Sequence, residues 1–209
     1  FTAGTGTWLI DSNSFDIPPY INNYGATTTW SNNVFTGGIP YFPDSSAARW
    51  TDKTKFSKNL FAWVDPEDGA MIGIPGSFEH CYFLNLMTSG HNNPHMISVA
   101  AAAGAIEVDD CWFEAPYAVG GTGDSILPNG DTCNIHNCVV LPDSDGSTTG
   151  NLCSIIPATC VVSVDHNTMV ATAGECGLVR GNHLGYNVAH NIASIRSNLI
   201  LGYTTDPYI

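Results

Sequence analysis

The sequence predicts an all-β chain of stacked coils, and three observations predict it. A short pattern recurs eight times along the chain, every copy carries Asn or Cys at the same place, and no segment shows the 3.6-residue periodicity of a helix. In each copy two large or β-branched residues stand two positions apart. Two mostly polar residues then lead to the Asn or Cys, and an apolar residue follows two positions later. Trp8, Ile10, Asn13 and Phe15 form the first copy, and Thr28, Trp30, Asn33 and Phe35 the second. Thr54, Phe56, Asn59 and Phe61 follow, then Gly76, Phe78, Cys81 and Phe83, then Ile106, Val108, Cys111 and Phe113. Cys133, Ile135, Cys138 and Val140 come next, then Val162, Val164, Asn167 and Met169, and finally Ala193, Ile195, Asn198 and Ile200.

Each element of the pattern has a physical reason. Apolar residues two apart point to the same side of a strand, here the interior. Asn tolerates a left-handed conformation better than most residues, so the ladder position is expected to turn the chain sharply. Stacked Asn amides can hydrogen-bond from coil to coil, which a buried polar group requires. Cys is small and at ease when buried, so it fits the same slot. Successive ladder positions lie 20 to 31 residues apart, one solenoid turn with loops of variable length. Leucine-rich repeats keep a stricter period and a Leu consensus that is absent here. The expected fold is therefore a right-handed single-stranded parallel β-helix of about eight coils. Residues 1–209 form one β-helix segment, with no internal linker. No helix suited to capping appears at either end, and uncapped coils expose strand edges. The segment is accordingly expected to belong to a longer chain or to an assembly.

Segments such as 160–167 (CVVSVDHN) and 192–198 (IASIRSN) carry a resemblance to the pectate-lyase-like superfamily of parallel β-helices, and it spans nearly the whole chain. That superfamily holds carbohydrate-active enzymes and the trunks of phage tail spikes. The resemblance implies that the tight ladder turn separates the second and third strands of each coil. It implies also that the remaining strand, which carries many of the superfamily's active sites, includes residues 70–74, 96–99, 152–156 and 177–180.

Composition narrows the partners. Apolar residues make up 44 % of the 209 residues against 12 % charged, enough to bury a core. Six basic residues against 19 acidic ones give a formal net charge of −13, which repels phosphate backbones and argues against nucleic acid. No run reaches the roughly 18 apolar residues that span a bilayer, the blandest stretch being the short Ala-rich 99–106. The expected partners are a polysaccharide or other glycan, or further subunits, including copies of the same chain. Among the seven cysteines, Cys81, Cys111 and Cys138 are expected to stack as buried thiols, and no zinc-type spacing occurs.

Candidate sites are sparse. The acids gather in loops, and Asp143 and Asp145 are the candidates for Ca2+; the alternative is a solvated acidic rim. His80 and His166 precede ladder residues, with Asp110, Asn137 and Ser197 at the equivalent places, a column expected to form a hydrogen-bonded turn and not a ligand set. Glycoside hydrolysis needs two carboxylates about 5–10 Å apart. Asp109 and Asp110 are adjacent acids, but they fall on the tight turn. Arg180 is the conspicuous charge on the strand that the superfamily uses for catalysis, where Gly73, Ser98 and Ser154 cannot move a proton unaided at neutral pH. No catalytic set is therefore assigned; Arg180, Asp109 and Asp110 are the residues an enzyme would have to use. Trp112, next to a ladder residue, should point outward and serve glycan or partner contact. The sequence favours a non-catalytic scaffold of the extracellular space, a cell surface or a virion, resembling a tail spike or an adhesin. A polysaccharide lyase or glycoside hydrolase and a filament-forming subunit are the alternatives.

Overall fold

The computed structural model describes residues 2–3, 6–16, 22–23, 27–36, 54–63, 76–85, 95–98, 105–114, 123–127, 132–141, 150–154, 161–170, 177–180 and 191–202. These are strands and the tight turns between them; no helix occurs among the described residues. Two parallel sheets of eight strands dominate.

The first, here the entry sheet, comprises Thr7–Asp11, Thr27–Ser31, Thr54–Ser57, Gly76–Glu79, Ala105–Asp109, Thr132–His136, Val161–Asp165 and Asn191–Arg196, stacked in chain order. The second, the exit sheet, comprises Ser14–Phe15, Val34–Phe35, Leu60–Trp63, Tyr82–Asn85, Trp112–Glu114, Val139–Leu141, Thr168–Val170 and Leu199–Leu201 in the same order. A third parallel sheet stacks His95–Ser98, Gly123–Leu127, Gly150–Ser154 and Gly177–Arg180. Thr2–Ala3 and Asn22–Asn23 form a separate parallel pair.

Each passage from entry to exit sheet takes two residues, and the second is the predicted Asn or Cys. The turn differs from expectation in one respect. The left-handed backbone belongs to the residue before the ladder position: Ser12, Asn32, Lys58, His80, Asp110, Asn137, His166 and Ser197, with φ between 50° and 60°. That residue reverses the chain and points outward, so its side chain is free to be polar. The ladder residue's side chain faces inward, and Asn is used there for its amide. Both backbone N–H groups beside the reversal remain satisfied by the neighbouring coils. His80 N donates to Asp109 O at 3.1 Å, Trp112 N to Cys81 O at 2.9 Å, and the same pair of bonds recurs along the stack.

Three inward rows build the core. Trp30, Phe56, Phe78, Val108, Ile135 and Val164 are registered partners on the entry sheet, all essentially buried. Across the turn, Phe15, Phe35, Phe61, Phe83 and Phe113 stack ring on ring at 4.8–5.0 Å, the spacing of adjacent strands. Each ring thus lies flat on the next, adding contact beyond area burial. The third row includes Thr28, Ile106, Cys133 and Val162, with Thr54, Gly76 and Ile192 in backbone register with it. The sequence pattern points to Ala193 there; a register shift between Val162 and Ser163 sets Ile192 opposite Val162 instead. Thr28 Oγ1 and Trp30 Nε1, two apart on one strand, are buried without hydrogen-bond partners.

The ladder runs between the rows. Asn13 N donates to Asn33 Oδ1 and Asn33 N to Asn59 Oδ1, both at 2.9 Å. Cys138 N to Asn167 Oδ1 and Asn167 N to Asn198 Oδ1 repeat this at 2.8 Å. The amide nitrogens of Asn33, Asn59, Asn167 and Asn198 donate one coil back, as Asn59 Nδ2 does to Trp30 O at 2.9 Å and Asn198 Nδ2 to Val164 O at 2.8 Å. Cys81, Cys111 and Cys138 are free, buried thiols, as the sequence predicts, and Cys133 is buried as well.

Candidate functional site

Strand alternation gives each long sheet an outward face, and the two faces differ in chemistry. On the entry sheet two outward rows run from coil to coil. One reads Asp11, Ser31, Ser57, Glu79, Asp109, His136, Asp165 and Arg196; the other reads Leu9, Thr29, Lys55, Ser77, Glu107, Asn134, Ser163 and Ser194. Carboxylates, imidazoles and hydroxyls alternate, and they bond between coils. Lys55 Nζ meets Glu79 Oε2 at 2.6 Å, and Asn134 Nδ2 donates to Glu107 Oε1 at 2.6 Å. His136 Nε2 approaches Glu107 Oε2 at 3.9 Å, and Ser194 Oγ donates to Asp165 Oδ2 at 2.7 Å.

The acids singled out from the sequence sit within this pattern. Asp109 ends its strand and accepts from Asn137 Nδ2 at 2.9 Å. Asp110 occupies the left-handed turn, exposed, with His80 Nε2 3.3 Å from its Oδ2. Within the turn column His80 meets Asp110, and Asn137 bonds Asp109 of the neighbouring row; no group of three or more metal-ligating side chains gathers among the described residues. Asp11 follows the same geometry one end away. The amide of Asn32 and then the hydroxyl of Ser12 hold its carboxyl below the usual carboxylate value.

Sequence reasoning overlooked Glu79 and Glu107. Glu79 is the registered partner of Asp109, so two carboxylates stand one strand spacing apart, about 4.8 Å at the backbone. The signal was present, since Glu79 and Asp109 each stand two residues before their ladder cysteine, Cys81 and Cys111.

The exit sheet is different. Its first outward row reads Ser14, Val34, Leu60, Tyr82, Trp112, Val139, Thr168 and Leu199. Its second includes Ala62, Leu84, Glu114, Leu141, Val170 and Leu201. Trp112 points outward, as predicted, 45 % exposed, with Tyr82 stacked on it at 6.3 Å. Tyr82 Oη hydrogen-bonds the Glu114 carboxylate, the one acid among the described residues of the exit strands.

The third sheet contains the strand that the superfamily resemblance singles out, over 95–98, 150–154 and 177–180, and adds Gly123–Leu127. Arg180 ends the last strand in register with Ser154, and His95 lies in register with Asp124. Gly73, residues 70–74, Asp143 and Asp145 lie outside the described residues.

No family model, curated protein or solved structure matches this chain. No helix among the described residues is long and apolar enough to cross a membrane.

Proposed function

We propose that the chain is a right-handed parallel β-helix acting as a rigid, non-catalytic scaffold that works by surface contact with a glycan or with other subunits. One observation carries the architecture: two eight-stranded parallel sheets share one strand order and are joined at every level by the same two-residue turn. Parallel crossovers of this kind are right-handed in nearly all proteins. The functional half rests on how the charged side chains are used. Glu79, Glu107, Asp109, Asp110 and Asp165 each bond to the next coil, which makes them struts of the stack. The pectate-lyase-like resemblance supports a place outside the cell, on a cell surface or on a virion.

A second reading draws on one observation, the registered carboxylates of Glu79 and Asp109. Their strand spacing is close to the roughly 5–5.5 Å of a retaining glycosidase pair. Incubation of the purified chain with neutral and uronate polysaccharides separates the two. Following new reducing ends and unsaturated products, the scaffold reading expects no turnover. Turnover abolished by Asp109→Asn, Asp110→Asn or Arg180→Ala would replace it with the enzyme.

A further inference from the structure

The outward face of the exit sheet is unlike a solvated one. Parallel sheets ordinarily have both faces covered, and their strands then read as near-continuous apolar runs. The exit strands read that way, with Val34, Leu60, Tyr82, Trp112, Val139 and Leu199 outward of the buried aromatic stack. The entry sheet, built by the same repeat, has outward Leu9 in its first coil and charged, amide or hydroxyl side chains at the equivalent places in every later one. The apolar stripe is thus a property of one face and not of the fold.

We propose that this stripe is the surface through which the chain meets a second copy of itself, stripe against stripe. Charge selects that partner. The chain carries a net charge of −13, so two copies brought together elsewhere set acid against acid. Through the central coils the stripe holds a single acid, Glu114, already bonded by the Tyr82 hydroxyl. A basic partner would find little to pair with here, whereas a self-complementary interface needs just such an uncharged, straight patch. Size agrees. Seven strand spacings give a length of about 34 Å, and two outward rows give an area on the order of 400 Å². That suits the apolar core of an interface of about 800 Å² per partner, with a polar rim around it. Trp112 stacked on Tyr82 at mid-length supplies the aromatic anchor.

The proposal deepens the scaffold reading by naming its partner, and a mass measurement can fail while the depolymerisation result stands. Sedimentation velocity of the wild-type chain from about 1 to about 100 µM should give twice 22.3 kDa. Leu60→Glu and Trp112→Glu should weaken association by roughly tenfold or more, while Ser163→Lys on the entry face leaves it unchanged. A wild-type monomer throughout the range overturns the proposal, as does association that survives both stripe substitutions. Should those variants not fold, a benzophenone photo-cross-linker placed at position 112 gives an independent answer. Adducts between chains that map to the exit strands support the interface. An adduct within one chain, or to added glycan only, overturns it.

Discussion

At Asn33, Asn59, Asn167 and Asn198 the ladder side chain does two jobs: its oxygen accepts a backbone N–H of the preceding coil, and its nitrogen donates to a carbonyl there. At Cys81, Cys111 and Cys138 the single thiol proton is shared between the corresponding carbonyl, Phe56 O, Phe78 O or Val108 O, at 3.5–3.7 Å and the nearer carbonyl two residues back in its own coil at 3.1–3.5 Å. The slot and the backbone around it are the same. The thiols reproduce the donor half of the amide's work weakly, and sulfur is a poor acceptor. A repeat can therefore hold its geometry while the strength of its cross-links varies along the stack, strong at Asn13–Asn59 and Asn167–Asn198 and soft between.

The sharpest way to break this comparison is to remove one member of each kind. Asn59→Ala strips the acceptor from Asn33 N and the donor from Trp30 O, both buried, and should cost about 3 kcal/mol in chemical denaturation. Cys111→Ala should cost only about 1 kcal/mol, because a weak donor and a small volume are lost. Equal losses would mean that thiol and amide hold the coils alike.

A pH series reads the thiol segment separately. Burial pushes the Cys111 thiol well above its ordinary value, and the Cys138 and Cys81 thiols add to the effect. Folded Cys111 therefore keeps its proton where the unfolded thiol, ionising near about pH 8.5, has lost it. The unfolded state then binds fewer protons, so stability is unaffected at neutral pH and falls as pH rises past that value, by up to about 1.4 kcal/mol per unit. Denaturation at pH 7.5 and at pH 9.5 (about one unit either side of that value) should show the fall, shallower in Cys111→Ala. A slope identical in the two proteins would remove Cys111 as its source.

Conversion is a gentler test. Cys111→Asn should gain about 1 kcal/mol, its oxygen accepting Cys81 N and its nitrogen donating to Phe78 O. A loss on thermal melting would show that the middle coils are spaced for sulfur. The smallest effect lies outside the ladder. Lys58 holds a left-handed backbone at φ 56°, and Lys58→Asn should raise stability by about 0.5 kcal/mol, because Asn tolerates that region better. No change in the denaturation midpoint would show that the neighbouring coils absorb the strain.

All eight ladder positions were legible in the sequence, because a buried polar slot admits few residue types. The left-handed residue was misplaced by one: Asn suits that conformation, but here it is used for its amide, and Lys58 or His80 turns the chain instead. Ala193 was misassigned because a one-residue register shift leaves no mark on composition. Gly123–Leu127 gave no strand signal in the sequence, since a short strand with one residue deep inside, Ile126, shows little alternation. Glu79 became visible as a neighbour of Asp109 only through register. The outward position of Trp112 followed from strand alternation alone.

The backbone hydrogen bonds between coils, from Ser12 N to Ser31 O through His166 N to Arg196 O, all cross from one strand to the next. A tensile load along the stack therefore falls on the levels in series, like links of a chain, and each level bears the whole force. A series assembly yields at its weakest link. Within the ladder that link is the run from Cys81 to Cys138, where sulfur replaces amide, and the third sheet, whose strands cross these same levels, carries load in parallel with it.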